Sequence, residues 1–329
     1  MIKRILVTCT LIHLLLFFIA GQGETPMYSQ YMMNAFLYNP AIAGSEGYTS
    51  FNLTSRLQWL GIKDAPETYS ISFQTRLLKR SYILKRNSVK QKTNMQPTRS
   101  GRVGIGGALI TDHTGAFSRT GMQFTYAYHI FMGNSQLSLG LTGNLYQFKY
   151  DLNAAQFSDP GSVASIIPLI NKAYYVPDAS FGAYYLTENY YAGLSIENIL
   201  QSSVREGNTL LSDSRLLRTY YLTGAYRIKY NHDFDLEPSF LGKFNERIAF
   251  IGDFGCKLYY KENYWFGLAF RTNKDIIAML GVRYNKLYIG YAFDYGLSNL
   301  TTYTTGSHEL MVALKFGDNV RRYKWVIRY

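Results

Sequence analysis

Catalysis and metal binding both need reactive side chains held within a few ångströms of one another, so the spacing of those residues along the chain limits what it can do. Of five histidines, His13 lies in an apolar leader, and His113, His129, His232 and His308 are scattered with no metal-ligand spacing. Cys9 is also in the leader, so the exported chain keeps the single thiol of Cys256 and can form no internal disulfide. Neither a nucleophile elbow nor a His-Glu-x-x-His sequence occurs. Gly104-Ile105-Gly106-Gly107 is glycine-rich, but it sits within a strand-like stretch and precedes no helix. It reads as a small-residue strand packed against an inner segment, not as a phosphate loop. The basic residues are spread among strands and loops without the clustered aromatic platform expected of a nucleic-acid binder. The expectation is a protein with no catalytic centre, no cofactor and no metal.

The chemistry that remains is ion pairing. Asp253, Lys257, Arg271, Arg283, Asp294 and Glu309 fall in alternating segments, on the face opposite the apolar residues. Facing a lumen, they would either form a ring of charge along a pore or pair into a network that braces an occluded barrel. The alternation that positions them is strict. Over 248–260, Ile248, Phe250, Phe254, Cys256 and Leu258 share a face against Asp253 and Lys257. In 287–295, Leu287, Ile289, Tyr291, Phe293 and Tyr295 oppose Asp294, and in 308–316, Leu310, Val312, Leu314 and Phe316 oppose Glu309 and Lys315. Leu137, Leu139, Leu141 and Leu145 share a face of 135–145. Similar segments fall near 48–59, 67–78, 102–112, 118–131, 179–187, 190–198, 215–230, 234–241, 264–272 and 275–284, for a total of about fourteen strands of membrane-spanning length. Pro238 is placed at a strand end or bulge, since it has no N–H for a ladder.

Composition agrees. Mean hydropathy is −0.12, yet aromatics make up 16% of the chain, with 30 Tyr and 20 Phe. No long apolar helix follows the leader, and only a helix or a closed barrel satisfies every backbone group in lipid. The predicted fold is therefore all-β: an outer-membrane β-barrel of about fourteen antiparallel strands, apolar outside and polar inside, with aromatic girdles. An even strand number puts both termini on one side, the periplasm. Short turns are expected at 133–134, 188–189, 231–233, 261–263 and 285–286, and long outer loops at 151–177, 199–214 and 296–305. Lys3 and Arg4 followed by the apolar run from Ile5 to Ala20 read as a secretory signal cleaved near Gly23. The resulting organisation is a signal peptide over 1–23, a non-strand segment over 24–47, a barrel over 48–317 and a basic periplasmic tail over 318–329.

Residues 30–44 have no period of two or 3.6. Asn39-Pro40 forces an extended or turn geometry, and Ala41, Ala43 and Gly44 are small enough to lie against a wall. Alternation begins abruptly at Tyr48, with Phe51, Leu53, Leu57 and Trp59 on one face and Asn52, Thr54, Arg56 and Gln58 on the other. The N-terminal segment is too apolar, with Met27, Met32, Met33, Phe36 and Leu37, to be left in water, so it is expected inside or beneath the barrel.

Taken in order, Gln30, Asn34, Asn39-Pro40-Ala41 and Ala43-Gly44, then Arg56-x-Gln58-Trp59-x-Gly61 and Ala65-Pro66, and finally Gly306-Ser307-His308-Glu309-Leu310 bracket nearly the whole exported chain. This series resembles the PorP/SprF family of outer-membrane proteins of the type IX secretion and gliding system. The resemblance implies a non-enzymatic role in secreting or surface-anchoring particular cargo, often large adhesins. It also implies contact with the periplasmic ring and its associated outer-membrane lipoprotein, as well as with membrane lipid and lipopolysaccharide. The alternative reading is a transport channel of the porin or fatty-acid transporter kind.

One connection is long where a short periplasmic turn is expected. It carries Lys79, Arg80, Lys85, Arg86, Lys90, Lys92 and Arg99 without an acidic residue. Three readings stand: a solvated loop, a docking surface for an acidic periplasmic partner, or an outer loop beside anionic lipopolysaccharide. If it docks on the secretion ring, replacing Lys85, Arg86, Lys90 and Lys92 with Ser should leave the barrel folded and weaken co-purification with the ring. Unchanged co-purification, or protease cleavage of this loop on whole cells, would refute the docking role.

Overall fold

The computed structural model describes residues 27–77, 102–132, 135–150, 173–206, 209–246, 250–297 and 302–316. The strands run β1 (Thr49–Leu57), β2 (Glu67–Leu77), β3 (Val103–Thr114), β4 (Phe117–Met132), β5 (Ser135–Tyr150), β6 (Tyr174–Leu186) and β7 (Tyr190–Glu197). After a small separate hairpin, β8 (Ser203–Glu206) and β9 (Thr209–Arg215), come β10 (Thr219–Tyr226) and β11 (Ile228–Lys229). The series ends with β12 (Phe234–Asn245), β13 (Ile251–Tyr260), β14 (Tyr264–Arg271), β15 (Asp275–Tyr284), β16 (Leu287–Gly296) and β17 (Ser307–Phe316). Each barrel strand pairs antiparallel with its neighbours, and β17 returns to pair with β1 along the whole of β1, from Thr49↔Phe316 to Leu57↔His308. β11 continues the line of β10, so the closed wall has fourteen strands, as expected.

Burial runs opposite to that of a soluble protein. On β1, Phe51 and Leu53 are 45% and 52% exposed, while Asn52, Thr54 and Arg56, at the alternate positions, are buried. Ile71, Phe124, Leu141, Leu194 and Leu268 likewise point outward. Arg56, Asp253, Lys257, Arg271, Asp294 and Glu309 face in and are buried. An apolar exterior around a polar interior is what hydrocarbon demands of a closed sheet. Among the described residues no helix is long and apolar enough to cross a membrane. The strands do the crossing.

Several details differ from the sequence reading. The connection expected over 151–177 is shortened, because β6 already begins at Tyr174. The loop expected over 199–214 carries the β8–β9 hairpin. Pro238 lies in the middle of β12, neither at an end nor at a bulge, and pairs with Cys256 on one side. On its other side the ladder breaks: the pairs Ala225↔Ser239 and Ile228↔Leu236 flank it, and Arg227 separates β10 from β11. A residue without an N–H has been accommodated by interrupting one ladder and keeping the other. The expected leader, the basic run from Lys79 to Arg99 and the tail over 318–329 lie outside the described residues.

Residues 27–47 occupy the lumen. They form two short 3₁₀ turns, η1 (Ala35–Leu37) and η2 (Pro40–Ile42), and bury Tyr28, Tyr31, Phe36, Leu37, Tyr38, Ala41, Ile42 and Ala43 against the wall. Fully burying a large apolar side chain is worth roughly 1.5–3 kcal/mol, so this segment is a substantial part of the barrel's interior packing.

Cys256 shares the outward parity of Phe254 and Leu258, opposite buried Asp253 and Lys257. In intact membranes it should resist a water-soluble maleimide that labels the denatured protein. Rapid labelling of the native barrel would contradict this register.

Candidate functional site in the barrel lumen

The wall contains a transverse row of small residues. Read through the register, Arg76 pairs with Gly104, Gly104 with Ala127, Ala127 with Gly140, Gly140 with Gly182, Gly182 with Ser195, and Ser195 with Tyr221. The stretch from Tyr38 to Gly44 lies along this row. At one end the Tyr38 ring packs edge-on against Tyr221, 5.2 Å between centroids, and its carbonyl accepts from the Ser195 hydroxyl. At the other end Arg76 donates to the carbonyls of Gly44 at 2.8 Å and Ser45 at 2.7 Å. Between them a methyl group at Gly104 would collide with the Ala43 carbonyl, and one at Gly140 with the backbone of Pro40 and Ala41. The wall is glycine there because backbone meets backbone.

Asn39 fixes the bend. Its extended backbone obeys the restriction imposed by Pro40, and its side-chain oxygen accepts from the Ala41 N–H at 2.9 Å, capping η2 with proline in the first position. Its amide nitrogen donates to the carbonyls of Ala183 at 3.0 Å and Leu194 at 3.3 Å, tying the cap to β6 and β7. Asn34 accepts from the Ser72 hydroxyl at 3.0 Å. Met32 and Met33 fill the opposite half of the lumen, Met32 against Ile277 and Met279, Met33 against Trp265 and Met311. Between plug and wall remains a cavity of about 40 Å³ lined by Met32, Phe36, Ile42, Gln74, Tyr184 and Lys315. That is room for only a few water molecules.

A buried ion cluster holds the start of the plug. Arg56 reaches Asp294 at 2.7 Å and Glu309 at 3.1 Å. Arg271 makes a two-pronged contact with Asp253, 2.7 and 2.8 Å, and stands 3.6 Å from Asp294. Ser29 enters the same cluster: its hydroxyl donates to Asp294 and accepts from Arg56 at 2.6 Å, and its N–H donates to Glu309 at 2.7 Å. The Gln30 N–H donates to the other Glu309 oxygen at 2.9 Å. Charge-assisted bonds of this kind are the strong ones, and here solvent is excluded from all of them. Lys257 with Glu237 at 3.0 Å forms a second pair, and Arg119 stands 3.9 Å from Asp112. Arg283 has lumen parity but sits at the mouth, over the Tyr288 ring. The inward charges thus form a braced interior, the second of the two arrangements open from sequence.

Of the singled-out residues, Asn34, Asn39, Pro40, Ala41, Ala43 and Gly44 lie against β2, β3 and β5–β7, while those of β1 and β17 gather on the seam between these two strands. Arg56 and Glu309 are register partners across it. Above them Trp59, with φ of 49°, donates its N–H to the Ser307 hydroxyl, and Leu60 exchanges backbone bonds with Gly306 and Thr305. Gly61, φ 107°, supplies a left-handed turn beside the Tyr303 carbonyl, and the Gln58 N–H bonds to the Pro66 carbonyl, closing the turn that contains Ala65. His308 points outward to the Tyr291 hydroxyl at 2.6 Å. Below the cluster, Lys315 meets Glu46 at 2.8 Å. Sequence reasoning did not single out Ser29, Arg76, Ser195, Gly140 or Gly182. The signal for the glycines was present, each being a small residue at an inward position, but their alignment depends on register.

The profile of the family described as "Type IX secretion system membrane protein PorP/SprF" matches residues 20–314. No curated protein matches the chain. Among solved structures, the toluene transporter TbuX of Ralstonia pickettii is similar with a TM-score of 0.49 at 10% identity, over 85% of this chain and 92% of that one. The toluene transporter TodX of P. putida scores 0.46 at 10% identity, covering 86% and 94%. The outer membrane protein Omp33 of Acinetobacter baumannii scores 0.43 at 8% identity, covering 82% and 100%.

Arg56→Ala leaves Asp294 and Glu309 buried beside a missing cation, and should destabilise the barrel by about 3–5 kcal/mol. Ser29→Ala removes one bridging hydroxyl and should cost about 1–3 kcal/mol. Arg56→Lys should not rescue, since an ammonium cannot span both carboxylates as the planar fork does. The check is the temperature at which the folded band converts to the unfolded one on a detergent gel. Wild-type behaviour of Arg56→Ala would show that the cluster does not hold the plug.

Proposed function

The chain belongs to the PorP/SprF family of type IX secretion system membrane proteins, and from that premise we propose that it is a non-enzymatic outer-membrane component of that machinery. In this reading it assists secretion or surface anchoring of specific, adhesin-like cargo. Its partners are the periplasmic ring and the associated outer-membrane lipoprotein. The observation that carries the proposal beyond the family is the lumen, filled by residues 27–47 and locked at both ends, at Ser29 and at Gly44. A barrel so occupied works through its rims and loops, by holding other proteins, and not by passing solute through its axis. The connection carrying Lys79 to Arg99 leaves from the strand ends Leu77 and Val103, at the mouth where β1 begins, and is the proposed contact for an acidic partner.

Two measurements test the proposal. Purified protein in planar bilayers should give no steady porin-like conductance. A chain lacking residues 27–44, if it inserts, should conduct. Removing the protein from its host should abolish surface display of its cargo, with restoration by the wild-type chain. Steady conductance of the intact protein, with cargo display unaffected by its removal, would favour the transport-channel reading instead.

A further inference from the structure

The plug has a direction, and it is the reverse of that of β1. Its last residues stand at the mouth where β1 begins. Arg76, last but one in β2, holds the Gly44 and Ser45 carbonyls, and Glu46 meets Lys315, last but one in β17. Its first residues stand near the other mouth. The Ser29 and Gln30 N–H groups donate to Glu309, the third residue of β17. The Ser29 hydroxyl meets Asp294, third from the end of β16, and Arg56, last but one in β1. At about 3.3 Å per residue, these partners lie within roughly 7 Å of the strand ends. Which mouth faces outward follows from the connections. Those over 133–134, 187–189, 230–233, 261–263 and 285–286 are short and lie at the mouth where β1 begins. Those over 58–66, 198–218 and 297–306 are longer and lie at the opposite mouth. Short turns mark the periplasmic side of an outer-membrane barrel and long loops its outer side. The long link from Leu77 to Val103 is the exception on the periplasmic side. The plug therefore begins near the outer mouth and descends to the periplasmic one.

We propose that the chain preceding Met27 leaves the lumen through the outer mouth, so that the residues just before the plug are displayed on the cell surface. Glu24, Thr25 and Pro26 span about 10 Å when extended, enough to clear the strand ends. The opposite course, back to the periplasm beside the plug, is blocked by packing. Met27, Tyr28, Tyr31 and Tyr38 are already buried in the luminal core, and the cavity beside the plug holds about 40 Å³, far less than a second length of backbone needs. Residues 27–45 carry no charged side chain, so this luminal segment is a covalent link from the surface to the periplasmic start of β1. The outer mouth then offers more than the wall's loops. It also presents a stretch of chain that a partner outside the cell can reach, fixed to the barrel through Ser29 and the Arg56 cluster. The inference rests on the barrel standing in the outer membrane, not on its role in secretion.

The test is thiol labelling of the full chain in intact cells, with a maleimide carried on a polymer too large to cross the outer membrane. Cys256→Ser removes the one thiol of the exported chain, and Thr25→Cys is placed in that background. Lys63→Cys, exposed in the 58–66 turn, and His232→Cys, exposed in the 230–233 turn, mark the two faces. The expected result is that Thr25→Cys and Lys63→Cys label on intact cells to most of the extent seen after denaturation, while His232→Cys labels only once the outer membrane is opened. Thr25→Cys should also keep the heat conversion of the parent on a detergent gel, which shows the plug still seated. Four outcomes would overturn the proposal. In one, Thr25→Cys labels only together with His232→Cys, which would return this stretch to the periplasm. In another it labels only after denaturation, which would leave it inside the lumen. In a third the denatured chain holds no thiol at position 25, which would mean that the exported chain starts too late to reach the surface. In the last, His232→Cys labels on intact cells and Lys63→Cys does not, which would invert the barrel.

Discussion

A guanidinium with almost no access to water, that of Arg56, is the constraint around which the lumen is arranged. Burying an unpaired charge costs several kcal/mol even after relaxation, so Arg56 needs carboxylates, and the carboxylates need further donors. Asp294 and Glu309 meet Arg56, while Asp253 and Asp294 meet Arg271. Two guanidiniums therefore face three carboxylates, and Asp275, the register partner of Arg271 on its other side, has the same sign. The wall alone leaves acceptors in excess. The plug supplies what is missing with the N–H groups of Ser29 and Gln30 and the Ser29 hydroxyl. An uncharged stretch of backbone completes an ion cluster, which makes the plug part of the wall's electrostatics and not merely a filler.

The other end of the plug is fixed by shape. The row from Gly104 through Ala127 and Gly140 to Gly182 removes side chains where the Asn39–Ala43 backbone must pass. Shape alone would let the segment slide along the row, and its terminal contacts prevent this. Tyr38 is stopped by Tyr221 and Ser195, and Gly44 is held by Arg76. Charge specifies one end and steric fit the other, so slippage by one residue would break both.

How much of this the sequence reveals follows from what each feature depends on. Strand number, strand positions and the inward parity of Asp253, Lys257, Arg271, Asp294 and Glu309 depend only on alternation within a segment, so they could be read directly. The position of the plug could be inferred from its apolar residues, which had nowhere else to go. The cluster and the glycine row could not be read, because both depend on register between strands. Arg56 and Glu309 are separated by 253 positions, and they meet only because the last strand closes on the first. Pro238 shows the opposite failure. The rule against proline in a central strand is local, and the barrel evaded it by interrupting one of two ladders.

Closure itself ties these points together. The plug precedes β1 in the chain, yet its anchors include Asp294 on β16 and Glu309 on β17, 265 and 280 residues from Ser29. Contacts of such separation come late, because a long loop must be closed before they form. The Ser29 end of the plug is therefore complete only when β16, β17 and the Arg56-bearing β1 are all in place. Once it is locked, it stabilises that same seam from inside. The seam is held at three levels: the Trp59–Leu60 turn against Thr305–Ser307 at one mouth, Arg56 with Glu309 and Ser29 in the middle, and Lys315 with Glu46 at the other mouth. Residues 28–61 and 304–315 thus form one structural unit split between the two ends of the chain.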